Sequence, residues 1–143
     1  MADPRTTQSR TACFPVSVKG VLTNEGRVVL LKNERGEWEL PGGKLEDEET
    51  PENCVEREIE EELNLRVTAG PVLDAWVYRI PSAGNVLVVA YGCKTGDTAP
   101  PRHSEEHQAV RLFGPDELED IPIPDGYRRA VGTWFEHSGG GCA

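Results

Sequence analysis

Gly43-Lys44-Leu45-Glu46-Asp47-Glu48-Glu49-Thr50-Pro51-Glu52-Asn53-Cys54-Val55-Glu56-Arg57-Glu58-Ile59-Glu60-Glu61-Glu62-Leu63-Asn64-Leu65 is the stretch on which the reading of this chain turns. Thr50 is a good N-cap and Pro51 suits the first helical position, so a helix is predicted from there to about Leu63. Asn64 stands where a left-handed residue ends a helix. The segment is dense in acid, and a solvated helix face is the plain reading. Three details oppose it. Glu60, Glu61 and Glu62 occupy the last turn, where the helix dipole disfavours negative charge. Glu58 and Glu62 are four residues apart and repel along one face, with only Arg57 and Arg66 to relieve them. At about 100° per residue, Glu58, Glu61 and Glu62 span roughly a third of the helix circumference, beside an apolar stripe of Val55, Ile59 and Leu63. The stripe can anchor the helix while the carboxylates face a cleft. Crowded carboxylates call for hard cations, Mg²⁺ or Mn²⁺, and no EF-hand spacing favours calcium.

Outward from this segment, Phe14 to Leu22 alternates as a strand, Asn24-Glu25-Gly26 signals a turn, and Arg27 to Lys32 completes a hairpin. Trp38-Glu39-Leu40 is a brief third strand, and Pro41-Gly42-Gly43 is expected to stop regular structure. Beyond the helix, Val67 to Ile80 and Val86 to Lys94 read as strands joined by a turn at Pro81 to Asn85. Thr95 to His107 is a long polar loop of the length that usually serves function. Ala109 to Phe113 is a short strand, Pro115 to Leu118 a helical turn, and Asp125 to Glu136 an amphipathic helix turning Tyr127, Val131, Trp134 and Phe135 inward. This order suits an α+β domain over 11–137, with a loose arm at 1–10 and a glycine-rich tail at 138–143.

The spacing Gly43, five residues, Glu49, seven residues, Arg57-Glu58-Ile59-Glu60-Glu61-Glu62-Leu63-Asn64-Leu65 resembles the Nudix box, G-x5-E-x7-R-E-U-x-E-E-x-G-U. Only Asn64, in place of Gly, departs from it, and Asn tolerates the same backbone conformation. The lead-in Trp38-Glu39-Leu40-Pro41-Gly42-Gly43 is also similar to the family's. The resemblance implies an α/β/α sandwich with a mixed sheet flanked by helices. It implies an Mg²⁺-dependent hydrolase that cuts a phosphoanhydride bond in a nucleoside diphosphate linked to another moiety. Glu58, Glu61, Glu62 and the Gly42 carbonyl are the implied metal ligands. Arg57 is implied to orient the carboxylates with Glu49 as partner, a plain structural ion pair being the equal alternative. The implied general base is Glu58 or a distal-loop acid. Ser104 to Phe113 is similar to the family's entry to its last strand, and there Glu106 takes the place of the distal acid.

Substrate contacts are less marked. Trp76 and Tyr78 are aromatic enough to stack a base, with core packing the preferred reading. Arg79, Arg102 and Arg111 are available to phosphates, with surface charge the plainer reading. His103 and His107 are loop residues. The 143 residues make one domain, and the net charge of −10 opposes a nonspecific grip on DNA or RNA. An enzyme of RNA ends is disfavoured for the same reason. No apolar run spans a membrane or forms a signal peptide, so a cytoplasmic place is expected. Cys13, Cys54, Cys93 and Cys142 form no C-x-x-C pair and are expected as free thiols. General frequency favours a homodimer. The competing function is a non-catalytic regulatory module that binds a nucleotide metabolite, which the intact carboxylates disfavour.

Overall fold

The computed structural model describes residues 10–81, 83–96 and 109–141. Its strands are β1 (Val16–Asn24), β2 (Arg27–Lys32), β3 (Trp38–Glu39), β4 (Gly42–Lys44), β5 (Val67–Ile80), β6 (Gly84–Thr95) and β7 (Ala109–Phe113). Helix α1 covers Pro51–Leu63 and α2 covers Asp125–Gly141, with a 3₁₀ turn at Pro115–Asp120. The strands join in the order β3-β2-β1-β6-β5, with β4 also on β1 and β7 also on β2. β1 and β6 run parallel and the other pairs antiparallel, so the sheet is mixed.

Strand periodicity sorts the apolar side chains to two faces. Val18, Leu22, Val29, Leu31, Tyr91 and Cys93 pack with Val55, Ile59 and Leu63 of α1. Val21, Val28, Leu30, Val88 and Ala90 pack with Tyr127, Ala130, Val131 and Trp134 of α2. The chain is thus an α/β/α sandwich with a core on each side of one sheet. β1 lies at its centre and is buried on both faces from Ser17 to Leu22. Its alternation therefore divides side chains between two covered faces, not between core and solvent. Close seating of both helices needs small residues in the sheet. A Cβ on Gly20 would lie 2.6 Å from Ile59 Cδ1, and one on Gly92 would lie 2.5 Å from the Trp134 ring.

Two expectations are corrected. Pro41-Gly42-Gly43 does not stop regular structure, because Gly42, Gly43 and Lys44 pair with Lys19, Val18 and Ser17 as β4. Gly42 sits at φ +141, and a Cβ there would strike the Val18 carbonyl, so only glycine lets the two backbones come this close. The last helix does not end at Glu136 but runs on through the glycines to Gly141. Once a helix is nucleated and packed, each further residue adds a hydrogen bond, which offsets the poor propensity of glycine. Cys13, Cys54 and Cys93 are free thiols, as expected, while Cys142 lies outside the described residues. Among the described residues no helix is long and apolar enough to cross a membrane.

Candidate active site

Helix α1 starts as its sequence dictates: Thr50 Oγ1 accepts a hydrogen bond from the Asn53 N–H at 3.1 Å, with Pro51 in the first turn. It ends at Asn64, left-handed at φ 56, whose N–H donates to the Glu60 carbonyl. With Val55, Ile59 and Leu63 buried against the sheet, the helix packs beside β4 and turns Glu58 and Glu62 to the cleft there. Arg57 gathers the acids beside it. Its Nε and Nη2 donate to the two oxygens of Glu49 at 3.1 and 2.8 Å, and its Nη1 donates to Glu58 at 2.9 Å and Glu61 at 3.3 Å. Arg57 Nη2 also reaches Glu46 at 3.6 Å. The Arg57 guanidinium, helped by the Glu46 N–H, holds the Glu49 carboxyl at about 2, and the carboxylates in turn raise Arg57. Burial pushes the neighbouring Cys54 thiol up to about 12, which keeps it protonated.

Glu58 and Glu62, one turn apart, line a cleft of about 350 Å³ with Gly42, Gly43, Glu39 and Arg35. Asn33 stands at the same wall, and its Nδ2 donates to Glu39 at 3.3 Å. Glu62 is buried and accepts a hydrogen bond from the Gly42 N–H at 2.6 Å. A Cβ on Gly43 would fall against the Glu58 carboxylate, so the glycine makes the cradle in which that carboxylate rests. The acceptors are oxygen throughout, which suits a hard divalent cation. Among the described residues, no group of three or more His, Cys, Asp or Glu stands ready to hold a metal ion as the side chains lie. Glu58 is turned to Arg57 and Glu62 to Gly42, so loading would require these contacts to be exchanged for metal bonds.

A NUDIX domain model matches residues 14–134. The chain belongs to the Nudix hydrolase family. It is 40% identical over 107 residues to a MutT-like protein of Streptomyces ambofaciens, covering 73% of this chain and 67% of that one. It is 50% identical over 46 residues to an 8-oxo-dGTP diphosphatase of Proteus vulgaris, covering 32% of this chain and 41% of that one. The crystal structure of a MutT Nudix hydrolase from Burkholderia pseudomallei superposes with a TM-score of 0.71 at 27% identity, covering 85% of this chain and 98% of that one.

The expected site residues of this Nudix hydrolase meet different ends. Glu58, Glu62 and Gly42 come together in one cleft, and Glu49 with Arg57 forms the clamp beside it. Glu61 does not join them: its carboxylate is 59% exposed and turned to Arg57. Glu105, Glu106, Arg102, His103 and His107 lie outside the described residues. Tyr78 is half-buried and meets Tyr127 edge-on, with centroids 6.0 Å apart, while Arg79 is exposed beside a separate groove near Trp76 and Arg129. Trp76 packs on Tyr127 and the α2 core, the reading preferred from sequence. Arg111 covers the rings of Trp38 and Phe113. Sequence reasoning missed Asn33, Arg35 and Glu39. Glu39 was open to discovery, since it sits between buried Trp38 and Leu40 on an alternating strand and must face the other way.

Proposed function

We propose that this Nudix hydrolase is an Mg²⁺-dependent pyrophosphohydrolase, cleaving a phosphoanhydride bond in a nucleoside diphosphate joined to another group. The observation that carries the reading is the meeting of Glu58 and Glu62 with Gly42 and Glu39 in one cleft beside the Arg57 clamp. Glu58, Glu62 and the Gly42 carbonyl would hold the metal. Bound there, Mg²⁺ supplies neutralisation of phosphate oxygens and a more acidic water. Arg57 fixes the rotamer of Glu58 and keeps the repelling carboxylates together. A Glu58 oxygen is available to take the proton of the attacking water, with Glu106 as the alternative base. Arg35, at the cleft wall, offers a guanidinium to the diphosphate. Small nucleotides, rather than nucleic acid, fit the chain's charge of −10.

The test is turnover of nucleoside triphosphates, nucleotide sugars, ADP-ribose and dinucleoside polyphosphates with Mg²⁺ and with chelator. Metal-dependent release of a nucleoside monophosphate from at least one of them is expected. A folded protein that turns over none of them would overturn the reading.

A further inference from the structure

On β1, the residues facing α2 are Ser17, Lys19 and Val21. Val21 is core. Lys19 is only 8% exposed as a residue, and its Nζ lies 5.9 Å from the centroid of the Tyr127 ring. The stem is covered while the ammonium keeps access to the cavity it lines, an arrangement long basic side chains favour. Lys19 lines a cavity of about 170 Å³ with Ser17, Tyr78, Tyr127, Val86 and Val88. Arg35 and Glu39 line both this cavity and the carboxylate cleft, so the two are contiguous. Tyr78, Tyr127, Ile80, Val86 and Val88 give the cavity an apolar lining that suits a flat ring, while Arg35, Glu39 and Lys44 supply charged lining.

We propose that Lys19 is a specificity-determining residue, its ammonium donating a hydrogen bond to the exocyclic carbonyl of a nucleobase seated in this cavity. The proposal rests on the hydrolase reading, since the cleft must take the phosphates of the same molecule. Guanine, cytosine and uracil carry such a carbonyl; adenine carries none. A donor aimed at that carbonyl favours the bases that carry it over the one that does not.

The experiment measures kcat/KM for CTP, UTP, GTP and ATP with Mg²⁺, and calorimetric binding of CMP, UMP, GMP and AMP, for wild type, Lys19→Met and Lys19→Gln. Lys19→Met should lower kcat/KM for the preferred carbonyl-bearing nucleotide by about tenfold to a hundredfold, the range for a hydrogen bond to a charged group. The loss should fall on KM, with ATP changed little, and Lys19→Gln, which keeps a donor, should recover part of it. Equal loss on all four bases, or no loss, overturns the role of Lys19 and leaves the hydrolase reading standing. If wild type turns over none of the four, the monophosphates decide. Binding of CMP, UMP or GMP over AMP that vanishes in Lys19→Met supports the role of Lys19 without the reaction, and binding indifferent to the substitution overturns it.

Discussion

The two faces of the sheet gather their polar groups in different ways. On the α1 side, Glu49, Arg57, Glu58 and Glu62 come from one continuous segment, and a single helix sets their spacing. On the α2 side, Ser17, Lys19, Tyr78 and Tyr127 come from β1, β5 and α2, and only the folded sheet brings them together. On the proposed reading, the chemistry that tolerates no misplacement would sit on the local element, and selection of the substrate would be spread over elements that can vary one residue at a time.

The sharpest way to break this contrast is Glu58→Gln. The change is isosteric and leaves the core untouched, so kcat should fall about 10²- to 10⁴-fold, the range for losing a positioned base, with the melting temperature little changed. A normal kcat would remove Glu58 from the chemistry. Next in size is the packing on each face. Trp134→Ala, emptying the α2 side, should cost about 3–5 kcal/mol, and Ile59→Ala, emptying the α1 side, about 2–5 kcal/mol. Denaturant unfolding measures both. Were either near zero, that helix would not be anchored as its buried side chain indicates.

The same contrast explains what was legible in the sequence. The α1 segment was readable because cap, apolar stripe and acids follow one helical period, and the strands at Arg27–Lys32 and Ala109–Phe113 fall where patterning puts them. Strand β4 was hidden because glycines signal a break, while their use here is a close approach to β1 that only tertiary pairing reveals. Lys19 was hidden for a related reason. Alternation on β1 marks a polar side for solvent, and nothing local says that α2 covers it. Glu61 shows the opposite limit: helical spacing puts it near Glu58 and Glu62, but its rotamer is chosen by Arg57.

Glu49 gives a pH test of the clamp. Its carboxyl is lowered from 4.5 to about 2 in the folded chain. A depressed acid contributes stability that is present in full above its unfolded value and is lost as pH falls through its folded value. The difference in melting temperature between wild type and Glu49→Gln should therefore be flat above about pH 5 and shrink from there toward about pH 2. A difference independent of pH across that window would show that the ion pair with Arg57 does not stabilise the fold.

The smallest expected effect concerns the one departure from the family box. Asn64 holds φ 56 and ψ 38, and its N–H closes the helix on the Glu60 carbonyl. Asn64→Gly removes a Cβ from a left-handed position, a gain of up to about 1 kcal/mol, since Asn already tolerates that region. It also frees the unfolded chain, which costs about 0.4–1 kcal/mol. The two nearly cancel, so stability should move by less than about 0.5 kcal/mol and kcat should not change. Asn64→Val has no such tolerance and should destabilise by about 1–2 kcal/mol. A changed kcat in Asn64→Gly with unchanged stability would mean that the turn after α1 reaches the carboxylates, and the local helix would no longer account for their placement alone.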